Sequence, residues 1–134
     1  MKRMFILAAI AALVLIASSA IADEKKEMKA EKKPVTLKGE IVDTGCYIAH
    51  GAMGEKHKDC ATKCIANGMP MGLMTADGKL YLLTLDHDNA DPYNQAKTMA
   101  GAMVEVTGTV SERNGMKAID VTGVKPVVTA AATK

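Results

Sequence analysis

The chain has 134 residues, enough for one small domain, and its 17 basic and 15 acidic side chains give a formal net charge of +2 at neutral pH. It contains no Trp, three Tyr and one Phe. Proteins that bind nucleic acid usually carry a basic stripe and stacking aromatic side chains, so this composition predicts no nucleic-acid partner.

The beginning of the chain has the three parts of a signal peptide. Lys2 and Arg3 form a basic start, residues 4–17 are an unbroken apolar run, and Ala20 and Ala22 frame a cleavage pattern of small residues. The apolar run is short for a membrane span of roughly 20 residues. We therefore predict cleavage after Ala22, a periplasmic or secreted product, and no stable membrane insertion after cleavage.

The mature chain would be nearly neutral. Removing 22 of the 134 residues leaves 112, and Lys2 and Arg3 leave with them, so that 15 basic residues balance 15 acidic ones. We predict four regions, namely a signal peptide (1–22), a charged disordered spacer (23–33), a folded domain (34–128) and a disordered tail (129–134).

Strands dominate the predicted domain, and the first follows the spacer directly. Val35, Leu37 and Ile41 alternate with polar residues, Glu40 among them, which is the period of two expected for a half-buried strand. Gly39 lies inside this pattern, where glycine often marks a bulge or a sharp bend.

Two helices are expected. Residues 55–66 read as a helix that ends at Asn67-Gly68. Residues 90–100 read as a second helix, which begins at Asp91-Pro92 with a capping residue and a proline at the first helical position.

Two hairpins complete the predicted order of elements. Asp77-Gly78 and Asn114-Gly115 each separate two apolar runs, which is a strong hairpin signal. Gly108 lies inside the strand before the second turn and predicts a bulge or bend there. The order along the chain is therefore strand, helix, strand, strand, helix, strand, strand.

This order, with the strand "MVEVTGTV" after a short helix and a glycine-turn hairpin after that, resembles small exported bacterial OB-fold domains. The resemblance covers most of residues 35–125. It implies a mainly β protein, a five-stranded OB-like Greek-key barrel with one helix between strands 3 and 4 and a Cys/His-bearing helix inserted after strand 1. OB-folds commonly bind oligonucleotides or sugars, but a fold does not fix a function, and the cysteine-bearing insertion departs from the plain pattern.

The insertion gathers the reactive side chains of the chain. "CYIAHGAMGEKHKDCATKC" holds all three cysteines and two of the three histidines. On a helix at about 100° per residue, His57, Cys60 and Cys64 fall on one face. We expect that face to meet the barrel and Cys46 to lie at the end of the first strand.

A metal site is the favoured interpretation of this cluster. Cys46, His57, Cys60 and Cys64 form a four-ligand Cys₃His set, which suits tetrahedral zinc or, through its thiolates, Cu(I). Further possible ligands are His50, Met69 and Met71. No catalytic motif is present in the sequence, so we predict a small exported metal-binding protein that is not an enzyme and has an unidentified periplasmic protein partner.

Two alternatives use the same cysteines. A disulfide from Cys46 to Cys60 or Cys64 would brace the helix and leave one thiol, in a non-catalytic binding module. Thiol–disulfide redox chemistry is the other alternative, although the sequence has no Cys-x-x-Cys motif. A Cys60–Cys64 bridge is disfavoured, because Cβ atoms four residues apart on a helix lie roughly 5–6 Å from each other.

Overall fold

The computed structural model describes residues 33–127. The predicted signal peptide, residues 23–32 of the predicted spacer and the predicted tail lie outside them. The secondary-structure elements of the described residues are β1 (Val35–Asp43), α1 (Thr44–His50), a 3₁₀ turn (Glu55–His57), α2 (Lys58–Ala66), β2 (Met71–Thr75), β3 (Leu80–Leu85), α3 (Asp91–Lys97), β4 (Met103–Arg113) and β5 (Met116–Pro126).

The five strands close into a barrel in the order β1-β2-β3-β5-β4, with β4 pairing back onto β1. β3 and β5 run parallel, and every other neighbouring pair is antiparallel. The helix α3 connects β3 to β4, and the cysteine-bearing helices follow β1. This is the OB-like barrel that the sequence predicts, with the helical insertion in the expected place.

The barrel encloses an apolar core to which helices contribute as well as strands. Burying these side chains supplies the main favourable free energy of folding. The core residues of the strands are Ile41, Met71, Leu73, Leu83, Val104, Val106, Ile119 and Val121, and those of α2, α3 and the turn after α3 are Ala61, Ile65, Ala96 and Ala100.

Both predicted hairpins are confirmed. β2 and β3 are joined through Asp77-Gly78, and β4 and β5 through Asn114-Gly115, whose two residues have φ angles of 51° and 81°. Positive φ at both central positions is the signature of a type I′ turn, which matches the twist of the strands. The pairing of β4 with β5 shifts beside Gly108, so the predicted irregularity is a β-bulge.

The helices differ from the sequence prediction in their bounds. The expected helix 55–66 is a 3₁₀ turn followed by α2, and α3 ends at Lys97, before the expected residue 100. α1 was not predicted, because none of its residues is buried and it therefore has no apolar period. No helix among residues 33–127 is long and apolar enough to cross a membrane.

The outer face of β1 also departs from the prediction. The alternation of buried and exposed residues stops at Gly39, and the strand is buried on both faces from there to Asp43. Glu40, expected to face solvent, is only 7% exposed and accepts a hydrogen bond from the backbone N–H of Gly54. The segment between α1 and α2 therefore covers the end of β1 from which the insertion leaves.

Candidate metal centre

Asp43 joins the barrel to α1. It is the last residue of β1 and the N-cap of α1, and its Oδ1 accepts a hydrogen bond from the backbone N–H of Cys46 at 3.1 Å. Aspartate is a favoured N-cap because its side-chain oxygen satisfies a free N–H of the first turn. The cap fixes Cys46 in the first turn of α1, whereas the sequence placed that residue at the end of the strand.

The segment that follows brings His57 back to the same end of the barrel. Gly51 ends α1 in the left-handed conformation, with φ of 66°, and its N–H donates to the carbonyl of Tyr47 at 2.7 Å. Gly54 is held by the buried Glu40 carboxylate. The N–H of His57 donates to the carbonyl of Gly54 at 2.9 Å, which closes the 3₁₀ turn. His57 is therefore fixed at the start of α2, with a half-buried side chain.

α2 carries the other two cysteines one turn apart. Cys60 is exposed and Cys64 is half-buried, and their Sγ atoms lie 4.0 Å from each other. The expectation that the cysteine face would meet the barrel is corrected by the structure. Ala61 and Ile65 enter the core instead, because apolar side chains gain more from burial than thiols beside charged groups do. The cysteines lie on the flank of the helix, towards Cys46.

These segments bring five potential ligands together. The ligating atoms of Cys46, His57 and Cys60 all lie within 4.8 Å of one another, and so do those of Asp43, Cys46 and Cys64. The two groups share Cys46. Because Cys60 and Cys64 are 4.0 Å apart, all three sulfurs are mutual neighbours. All four residues of the predicted Cys₃His set therefore belong to this cluster.

The other possible ligands lie apart from it or at its edge. His50 is exposed at the end of α1 and belongs to neither group. Met71 is fully buried in the barrel core. Met69 lies beside the cluster, since a Cβ atom added to Gly45 would be 2.7 Å from its Sδ and 3.2 Å from Oδ1 of Asp43.

Asp43 is the residue of the cluster that the sequence did not predict. Its side chain is fully buried, and Oδ2 has no hydrogen-bond partner. Nε2 of His57 faces it at 3.8 Å and is also buried without a partner. No other buried side-chain nitrogen or oxygen of residues 33–127 is left unpaired. An available signal was the run Asp43-Thr-Gly-Cys46, in which an aspartate precedes the cysteine at N-cap spacing.

The carboxylate and the thiols influence one another's protonation. The pKa of the Cys46 thiol rises to about 12, chiefly because its interaction with the Asp43 carboxylate favours the protonated form. Burial raises the pKa of the Cys64 thiol, and the neighbouring Cys60 adds to this effect. Burial alone would raise the pKa of Asp43, but the thiol and backbone N–H of Cys46 hold it below its usual value. These effects favour an ionised Asp43 carboxylate beside protonated Cys46 and Cys64 thiols.

None of the three cysteines forms a disulfide bond. Two zinc–thiolate bonds of about 2.3 Å at the tetrahedral angle place their sulfurs roughly 3.8 Å apart. The 4.0 Å between the Sγ atoms of Cys60 and Cys64 is close to that separation. Thiolate, imidazole and carboxylate groups at this spacing can hold a metal ion, and adjacent thiols can also form a disulfide.

Comparison with known proteins identifies no relative from which a function of the site could be inferred. A scan against models of protein families matches none of them. A search of curated proteins finds no similar sequence. The fold and the cluster are therefore the observations from which a function can be inferred.

Proposed function

We propose that this protein binds one zinc or copper ion in the cluster of Asp43, Cys46, His57, Cys60 and Cys64, and that it acts outside the cytoplasm without catalysing a reaction. The proposal of export is supported by the signal-peptide pattern of residues 1–22. The proposal that it is not an enzyme is supported by the lack of a catalytic motif in the sequence. The ion is the partner for which the chain offers a site.

One observation carries the proposal of a metal site. Five potential ligands from β1, α1, the 3₁₀ turn and α2 converge, and the two groups that they form share Cys46. Oδ2 of Asp43 and Nε2 of His57 are buried among them without a hydrogen-bond partner. A buried polar atom without a partner costs free energy, and an ion held between these groups would remove that cost.

Metal content and thiol counts test the proposal. The exported protein, purified from its native compartment without added reductant, should contain about one zinc or copper ion per chain. Denaturation in the presence of a chelator should then release three free thiols. A single thiol and no stoichiometric metal would instead indicate the structural bridge from Cys46, and would overturn the proposed function.

A matched pair of histidine variants locates the ion. His57→Ala should weaken zinc binding, because a tetrahedral ion that loses a ligand must recruit water or another side chain. His50→Ala is the control, since His50 lies in the same insertion but belongs to neither group of ligands. Equal affinities of the two variants would place the ion elsewhere.

Thiol–disulfide redox chemistry is the second candidate function, and the mutual proximity of the three sulfurs favours it. In that case two thiols would lose two electrons and two protons to a disulfide oxidant, and the third thiol would stay reduced. Equilibration with glutathione buffers separates the two functions. A bridge that forms and breaks reversibly at mild potentials in metal-free protein would support the redox function.

A further inference from the structure

Asp43 is a buried anion without a fixed positive partner. Its side chain is fully buried, and no Lys or Arg nitrogen among the described residues lies within 4.0 Å of its carboxylate. The one nitrogen of a basic side chain within that distance is Nε2 of His57, at 3.8 Å, beyond hydrogen-bond length. A buried carboxylate needs a counter-charge or a metal ion, because desolvation of an unpaired charge is costly.

One oxygen of the Asp43 carboxylate accepts a hydrogen bond and the other does not. Oδ1 caps α1 through the N–H of Cys46, whereas Oδ2 has no partner. A carboxylate oxygen of Asp43 belongs to a group with the sulfurs of Cys46 and Cys64 whose atoms lie within 4.8 Å of one another. Asp43 therefore offers a buried ligand atom to a cluster in which Cys60 is exposed.

We propose that Asp43 determines which metal the site holds, by supplying a carboxylate ligand that zinc accepts and Cu(I) does not. The inference rests on the proposed function, because it concerns the same site. Zn²⁺ binds carboxylate, imidazole and thiolate, whereas Cu(I) is soft and is selected by sulfur. Asp43 shares a group with Cys46 and Cys64, and Nε2 of His57 lies 3.8 Å from its Oδ2, so these four residues are the zinc ligands of the proposal. The exposed Cys60, whose sulfur is also spaced to share an ion with that of Cys64, then serves as a ligand of Cu(I) only, together with Cys46 and Cys64.

Asp43→Asn separates this role from that of a helix cap. The amide oxygen of asparagine can still accept the hydrogen bond from Cys46, and asparagine is as good an N-cap as aspartate. The substitution removes the negative charge and the carboxylate ligand with almost no change of shape. If Asp43 only positioned Cys46, the affinities for both metals would stay near those of the native protein.

Competition with chelators of known affinity measures the effect on the mature chain. Asp43→Asn should lose at least roughly 10-fold in zinc affinity, because removing groups that only support metal ligands already costs about 10- to 100-fold. Its Cu(I) affinity should change much less. Asp59→Asn is the control for loss of charge, since Asp59 is an exposed carboxylate of α2 that belongs to neither group of ligands. It should leave the ratio of the two affinities unchanged.

X-ray absorption of the native protein provides a test that does not depend on the folding of a variant. Zinc should have two sulfur and two nitrogen or oxygen neighbours, and Cu(I) should have three sulfur neighbours. Zinc with three sulfur neighbours, or equal losses of zinc and Cu(I) affinity in Asp43→Asn, would overturn the role of Asp43 and leave the metal site standing. A native protein that binds neither ion would overturn the proposed function itself.

Discussion

The sulfur atoms of Cys60 and Cys64 lie 4.0 Å apart on successive turns of α2, yet Cys60 is exposed and Cys64 is half-buried. The third sulfur, that of Cys46, is half-buried beside the Asp43 carboxylate, which raises its pKa to about 12. The thiolate is the nucleophile in alkylation, so exposure and a low pKa both favour reaction. The three thiols are therefore expected to differ in their rates of alkylation although they belong to one cluster.

We predict that Cys60 is alkylated first in metal-free protein at neutral pH. Limiting iodoacetamide followed by peptide mass mapping should show modification at Cys60 before Cys64, and at Cys46 last. Zinc added before the reagent should protect Cys46 and Cys64 more than Cys60. Rapid labelling of Cys46 in the metal-free protein would contradict both the burial and the raised pKa of its thiol.

Removing the cap at Asp43 should destabilise the metal-free protein. Asp43→Ala leaves the N–H of Cys46 without its acceptor, a loss that typically costs about 1 kcal/mol. Asp43→Asn keeps an acceptor and should be the more stable of the two variants. Urea unfolding in the presence of a chelator measures the difference. Equal stabilities would show that the hydrogen bond to Cys46 contributes nothing.

Gly108 should resist substitution more than Gly123, its near neighbour across the β4–β5 pairing. A Cβ atom at 108 would lie 2.1 Å from the carbonyl oxygen of Asp120, whereas one at 123 would come no closer than 3.6 Å to Thr107. Gly108→Ala should therefore cost about 1–3 kcal/mol or more, as overpacking does, and Gly123→Ala should be nearly neutral. Thermal unfolding of the two variants checks this, and a stable Gly108→Ala would contradict the close approach of the strands.

The turn at Gly115 tests the hairpin through the backbone alone. A Cβ atom there meets nothing within 4 Å, so any cost comes from the φ of 81°. Gly115→Val should lose about 1–2 kcal/mol, since a β-branched residue resists positive φ. Gly115→Asn is the control, because asparagine tolerates that region. Similar unfolding midpoints for the two variants would count against the type I′ turn.

Asp77 should make the stability of the fold depend on pH in the acid range. Its hydrogen bonds with Lys79 and Thr75 lower its pKa from 3.8 to about 2. Because the folded pKa is lowered, the stabilising contribution is present above about pH 4 and is lost as the pH falls towards 2. Asp77→Asn should reduce the change in unfolding midpoint between pH 4 and pH 2. An unchanged pH profile would show that the pair is too well solvated to matter.

The barrel could be predicted because its signals are local. The alternation around Leu37 and the turn pairs at Asp77-Gly78 and Asn114-Gly115 depend only on neighbours in the chain. The five-stranded barrel followed from the order of elements along the chain and from the resemblance to OB-fold domains. α1 escaped prediction because it is held by a cap at Asp43 and a left-handed Gly51, and not by an apolar face.

The site could be predicted only in part. The clustering of Cys46, His57, Cys60 and Cys64 could be predicted because these rare residue types crowd one short segment. Asp43 was missed because aspartate is common, and its burial depends on how the insertion folds back over the end of β1. The predicted orientation of α2 is wrong for a related reason, because Ala61 and Ile65 occupy the core in place of the cysteines.

The insertion, residues 44–70, begins and ends at one pair of neighbouring residues in β1 and β2. Asp43 pairs with Met71, and between them the N–H of Thr44 donates to the carbonyl of Pro70 at 3.0 Å. Residues 44–70 therefore leave and rejoin the sheet without shifting the register of β1 and β2. The sequence of this insertion can therefore change, in evolution or by design, without changing the barrel. The condition is that Ala61 and Ile65, the two residues of the insertion in the core, are replaced by groups of similar volume.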